Sequence, residues 1–147
     1  MIITMNGRTL TVDVERTKRF YETCVTAAET CSCAGCRNFG LAAEALPPAV
    51  GAFFASLGVD ARKPAEIYVL HAEADGRALH YGGFYHLCGR LETGSAAEPG
   101  FTAVADGFAV AFTDRIDLPE QTLPAPALQM EIDFCGVPWK LDTPNPY

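Results

Sequence analysis

Leu10, Val12 and Val14 alternate with Thr9, Thr11, Asp13 and Glu15, just after the apolar run "IITM" and the dipeptide Asn6-Gly7. A period of two predicts a strand with one wet face, and Asn-Gly supplies the two positive-φ residues of a type I′ turn. "IITM" and "RTLTVDV" are therefore expected to form a hairpin. The pattern then breaks. In "ERTKRFYETCVTAAETCSCAGC", Phe20, Tyr21 and Val25 suit a strand while "VTAAET" suits a turn or short helix, so the segment reads as an irregular approach to a cysteine cluster. "RNFGLAAEAL" predicts a short helix that stops before Pro47, since proline restricts its predecessor and has no N–H to donate. In the next segment Val50, Phe53, Phe54 and Leu57 fall at i, i+3, i+4 and i+7, with Pro48 at an early position and Gly58 just past the end. That is the signature of an amphipathic helix pressed on a sheet.

From Glu66 onward strands are predicted: "EIYVLHA", "ALHY" and "FYHLCGRLET", punctuated by Asp75-Gly76 and by Gly82-Gly83, the latter read as a turn or kink. A loop "GSAAEPG" leads to a hairpin of "FTAVA" and "FAVAFT" around Asp106-Gly107, and "LQMEIDF" forms a last strand before "CGVPWKLD". Turn dipeptides between apolar runs indicate an antiparallel sheet rather than parallel crossovers. The expectation is an α+β fold in one domain over residues 1–147. It comprises a mainly antiparallel sheet, from an N-terminal hairpin and a C-terminal meander, with two short helices inserted between them. Trp139 is expected to cap the core, and the Pro-rich "TPNPY" to be mobile.

Composition narrows the function classes. The 147 residues carry a formal charge of -7. That balance argues against nucleic acid and anionic membranes, whose affinity comes from Lys and Arg. No apolar run is long enough for a membrane span, and the N-terminus lacks a cationic stretch followed by a long apolar one, so a cytoplasmic protein is expected. Partners of another kind, a protein or a second copy of the chain paired along a strand edge, stay open. Residues 1–40 hold five basic and four acidic side chains, so the negative charge lies in the rest of the chain.

Three of the six cysteines sit in the least acidic part, in "TCSCAGCRNF". In a reducing compartment clustered cysteines are metal ligands or redox groups more often than structural disulfides. The spacing C-x-C-x-x-C puts Cys31, Cys33 and Cys36 on one segment, and Ala34-Gly35 offers no bulk against a tight turn. Zinc takes four ligands in a structural site and three plus water in a catalytic one. A fourth is sought in Cys24, in His86, or in Cys88, which shares a strand face with Phe84 and His86; Glu29 and His86 are the acid or base candidates for an open site. A competing reading is redox: Cys33 heads a predicted helix, whose N-terminus lowers a thiol's pKa, and Cys36 is its partner.

Other titratable groups read as structural. His71 shares a strand face with Ile67 and Val69 and reads as a hydrogen-bonded core residue, His80 lies where a bulge could expose it, and Asp114 and Asp117 read as solvated turn residues. Cys135 falls on the Gln129, Glu131, Asp133 face of the last strand, a face either exposed or under a loop. In their order "CSCAGCRNF", "LGVDARKPAEIYVL" and "FYHLCGRL", spanning about residues 31–91, these segments resemble a small bacterial family of unassigned function with a C-x-C-x-x-C-x-N-F motif. The resemblance draws attention to the cluster and to His86 and implies no activity. The resulting expectation is a small zinc-binding or interaction module with Cys31, Cys33, Cys36 and His86 as ligands, and a thiol-dependent redox enzyme or sensor as the alternative.

Overall fold

A computed structural model describes residues 1–94 and 100–147. The chain runs β1 (Ile2–Met5), β2 (Arg8–Val12), α1 (Val14–Thr23), α2 (Ala27–Thr30), α3 (Ala34–Ala43), α4 (Pro48–Leu57), β3 (Glu66–Ala72), β4 (Ala78–Thr93), β5 (Thr102–Ala105), β6 (Phe108–Thr113) and β7 (Ala127–Pro138). The expected α+β class, antiparallel pairing and N-terminal hairpin are all present: the strands form one sheet in the order β1-β2-β4-β7-β6-β5, with β3 on β4, and every pairing is antiparallel. Asn6 and Gly7 both adopt positive φ, 48° and 70°, as the type I′ turn requires. Most of the predicted loop "GSAAEPG" lies outside the described residues.

The helices exceed the two expected. The Asp13 carboxylate accepts from Arg16 N at 3.0 Å and so starts α1 where the sequence pattern extended the strand. Thr17, Phe20 and Tyr21, at i, i+3 and i+4, form the buried stripe of a helix. Phe20 and Tyr21, which also suit a strand, are part of why the stretch read as irregular rather than as a helix. Helix α2 carries a capping box between Thr26 and Glu29. Helix α4 has the bounds its apolar stripe implies, with Pro48 first and Gly58 left-handed at its end. Among the described residues no single helix is long and apolar enough to cross a membrane.

Strand β4 is the spine, pairing with β7 over Ala78–Cys88, with β3 over Leu79–Phe84 and with β2 over Gly89–Thr93. Gly82 and Gly83 lie inside it and make no turn. A Cβ on Gly82 would meet the Tyr68 ring 2.6 Å away, and one on Gly83 would meet the Glu66 carbonyl, so both glycines serve close packing of β3 on β4. Where β3 stops, α1 takes over the β4 edge. Tyr21 OH donates to His86 O at 2.9 Å, Thr17 Oγ1 accepts from Cys88 N at 3.1 Å, and Asp13 N donates to Cys88 O at 2.8 Å just before β2 begins to pair. One helix face thus supplies the backbone partners that a strand would otherwise provide. The core gathers Phe39, Phe54, Tyr81, Tyr85, Phe108 and Phe134 with the aliphatic residues of β4 and β7.

The Pro-rich "TPNPY" is held down, contrary to the mobility expected of it. Trp139 Nε1 donates to Thr143 O at 2.7 Å, Asn145 Nδ2 to Gly76 O at 2.9 Å, and the Tyr147 hydroxyl sits against α3. Trp139 packs on the core as expected.

The edge closure by α1 predicts that Thr17→Val, which leaves the buried Cys88 N–H without an acceptor, costs about 1–3 kcal/mol of stability. Denaturant titration of the variant checks this, with the slope unchanged and the midpoint lowered.

Candidate metal centre

The cysteine segment is built by two helix ends. Cys31 ends α2, its N–H bonded to Ala27 O at 3.0 Å, and Cys33 occupies the N-cap of α3. Small residues let the two helices approach: a Cβ on Gly40 would stand 3.5 Å from that of Ala28. The Cys33 sulfur takes the place that Ser or Asp usually fills at an N-cap and accepts from Cys36 N at 3.4 Å. As a result the ligand atoms of Cys31, Cys33 and Cys36 all lie within 4.8 Å of one another, positioned to hold a metal ion. Tetrahedral ligation at a Zn–S distance of about 2.3 Å spaces sulfurs about 3.8 Å apart, so the group needs only small adjustments to close on an ion.

The three thiols differ in environment. Cys33 is exposed, Cys31 half-buried and Cys36 buried. The amide of Cys36, donating to the Cys33 sulfur, draws the Cys33 pKa below its ordinary value, and the neighbouring thiols add to this. Burial, together with hydrogen bonds to Cys31 and Cys33, pushes Cys36 up to about 12. The group therefore holds one thiol ready to ionise beside one that stays protonated until a cation or a bond to sulfur replaces its proton.

Helix α3 is fixed to the sheet by polar bonds. Asn38 Nδ2 donates to Tyr81 OH at 3.3 Å and to Pro138 O at 3.1 Å, and its Oδ1 accepts from Lys140 N at 2.6 Å. Tyr81 OH donates in turn to Gly35 O at 2.7 Å, and Gly35 N to Tyr147 OH at 3.0 Å. A Cβ on Gly35 would lie 2.8 Å from that hydroxyl and 2.9 Å from Val69 Cγ2, so the glycine of C-x-x-C allows the close approach. Phe39 packs on the Tyr81 ring with centroids 5.2 Å apart. The Asn-Phe that follows the cysteines is thus the anchor of their helix.

The other candidates sit elsewhere. Among the described residues no fourth His, Cys, Asp or Glu joins the three-thiol group. His86 is buried against the loop after β6: its Nε2 donates to Asp117 O at 2.9 Å, its Nδ1 has no hydrogen-bond partner, and burial lowers its pKa. Asp117 N donates to Gln129 Oε1 at 2.8 Å, and Gln129 Nε2 to the Asp117 carboxylate at 3.1 Å, so His86 and Gln129 together tie that loop over the sheet. The face carrying Gln129 and Cys135 is covered by a loop at one end and exposed at the other. Cys24 and His86 line a cavity of about 120 Å³ together with Tyr21, Lys63 and Glu120. The Cys24 thiol donates to Phe20 O at 3.4 Å, and burial followed by the Glu120 charge raises its pKa. Cys88 is fully buried, and burial raises its pKa as well. Glu29 spends its carboxylate on Thr26, whose backbone N–H and hydroxyl hold its pKa down. His71 is exposed, not in the core as its strand face implied, because β3 is an edge strand whose later residues leave the packed layer. Asp114, after β6, is not part of the three-thiol group.

Comparison with protein-family models, curated proteins and solved structures found no match.

For the metal-free protein the unequal thiols predict that iodoacetamide modifies Cys33 first, with an apparent pKa shifted down from that of an ordinary cysteine, while Cys36 stays unreacted at pH 7. Peptide mapping across a pH series checks both.

Proposed function

We propose that the chain is a small metal-binding module in which zinc is held by the thiolates of Cys31, Cys33 and Cys36, with the fourth position taken by water or by a partner's side chain. The observation that carries this reading is the gathering of three sulfurs within 4.8 Å by one short segment. Three thiolates suit zinc, since soft sulfur donors favour zinc and disfavour magnesium or calcium. An ion there would also lower the cost of ionising the buried Cys36 and would tie the end of α2 to the start of α3. His86, anchored to Asp117, supports the loop after β6 rather than this group in its present position.

A redox reading draws on a different observation, the contrast between Cys33 and Cys36. An exposed thiol of lowered pKa at a helix N-terminus beside a buried, protonated one is the arrangement in which the first attacks and the second resolves. The order of elements is not that of a thioredoxin-like βαβ unit, since α2 and not a core strand leads into Cys33.

Metal analysis by plasma mass spectrometry on protein purified without a histidine tag separates the two. The metal reading predicts near-stoichiometric zinc and three thiols that react with a disulfide reagent only after chelation. Metal-free protein with these thiols freely reactive, and forming a reversible Cys33–Cys36 disulfide, would favour the redox reading.

A further inference from the structure

A second group of ligand atoms lies on the sheet, on elements other than the cysteine segment. His80 of β4, Asp133 and Cys135 of β7 place one ligand atom each within 4.8 Å of one another. His80 Nε2 contacts the Asp133 carboxylate directly, and Cys135 Sγ lies 3.8 Å from the same oxygen, close to the spacing of oxygen and sulfur in a tetrahedral zinc shell. The backbone brings them together. The register between β4 and β7 shifts at His80, where Cys135 and Gly136 oppose one residue, and the register between β3 and β4 shifts at the same histidine, where Leu70 is the extra residue. His80 is thus flanked by a bulge on each side, and bulges re-aim side chains and recur beside functional sites.

The far side of the His80 ring is set as well. His71 Nδ1 donates to Ala72 O at 3.1 Å, which leaves its Nε2 as an acceptor for His80 Nδ1–H, also 3.1 Å away. A histidine that binds metal through one nitrogen almost always donates its other N–H to a fixed acceptor. His71 supplies that acceptor and leaves Nε2 of His80 pointing at Asp133 and Cys135.

We propose that His80 Nε2, the Asp133 carboxylate and the Cys135 thiolate form a second site for a borderline divalent transition ion such as zinc, oriented by His71. The mixed nitrogen, oxygen and sulfur donors favour such an ion over calcium or magnesium. On binding, the ion replaces the proton between His80 Nε2 and Asp133 and the thiol proton of Cys135, and both protons pass to solvent. Cys135 is exposed and Asp133 half-buried, so both side chains reach solvent. Asp133 then turns aside from its direct contact with His80 to make room for the ion.

Cadmium-113 NMR of the full chain tests the site, because a resonance moves strongly with the number of sulfur ligands. The expected result is a bound-cadmium signal of a one-thiolate site, lost in Asp133→Asn/Cys135→Ser and retained in Cys33→Ser/Cys36→Ser. In wild-type protein the His80 and His71 ring nitrogens shift on titration, a readout that depends on no variant folding. Absence of a one-thiolate signal together with unmoved histidine nitrogens overturns the proposal, as does such a signal that survives Asp133→Asn/Cys135→Ser. A signal from a thiolate-rich site reports separately on the cysteine cluster, so failure of one reading leaves the other visible.

Discussion

The side-chain amide of Asn38 is fully buried and makes three hydrogen bonds, to the Tyr81 hydroxyl, to Pro138 O and from Lys140 N. Each partner belongs to a different piece of the molecule: β4, the end of β7, and the segment beyond it. A buried amide left without partners costs more than the bonds return when made, so these pieces are held to one relative placement. Helix α3 enters that placement through Asn38 itself and through Gly35, whose carbonyl receives the Tyr81 hydroxyl. Its first turn carries two of the three clustered thiols.

The cluster is therefore a product of the sheet as much as of its own sequence. Strand β4 fixes Tyr81, Tyr81 and Asn38 fix α3, and the N-cap geometry of α3 turns the Cys33 sulfur toward the amide of Cys36. Helix α2, packed against α3, delivers Cys31. On the other side of the same strand, α1 closes the edge that β3 and β2 leave open. Thiols arranged in advance in this way would lose little freedom on closing around an ion.

Much of this was legible in the chain and some was not. Turn dipeptides at Asn6-Gly7 and Asp106-Gly107, and the stripe from Val50 to Leu57, carry local information that tertiary structure did not override. Helix α1 was hidden because its buried stripe is made of residues that also favour strands, and its decisive signal, Asp13 capping Arg16 N, looks like one more polar position in an alternating strand. The glycine pair in β4 misled because close packing of Tyr68 on Gly82 is a tertiary fact. Spacing alone put Cys31, Cys33 and Cys36 on one segment, and the structure gathers their sulfurs. The group around His80 was only half legible: alternation put Asp133 and Cys135 on one face, but their meeting with His80 depends on two bulges that spacing does not reveal. His86 drew notice for the strand face it shares with Cys88, and its bond to Asp117 depends on a loop that folds back over the sheet.

The central claim is that the α2–α3 junction supplies three sulfurs, and only three, to one ion. X-ray absorption at the zinc edge counts them, on protein carrying Asp133→Asn/Cys135→Ser and loaded with one equivalent of zinc. The account predicts three sulfur neighbours at about 2.3 Å and one lighter neighbour at about 2.0–2.1 Å. A shell of oxygen and nitrogen with fewer than two sulfurs, or one of four sulfurs, would contradict it.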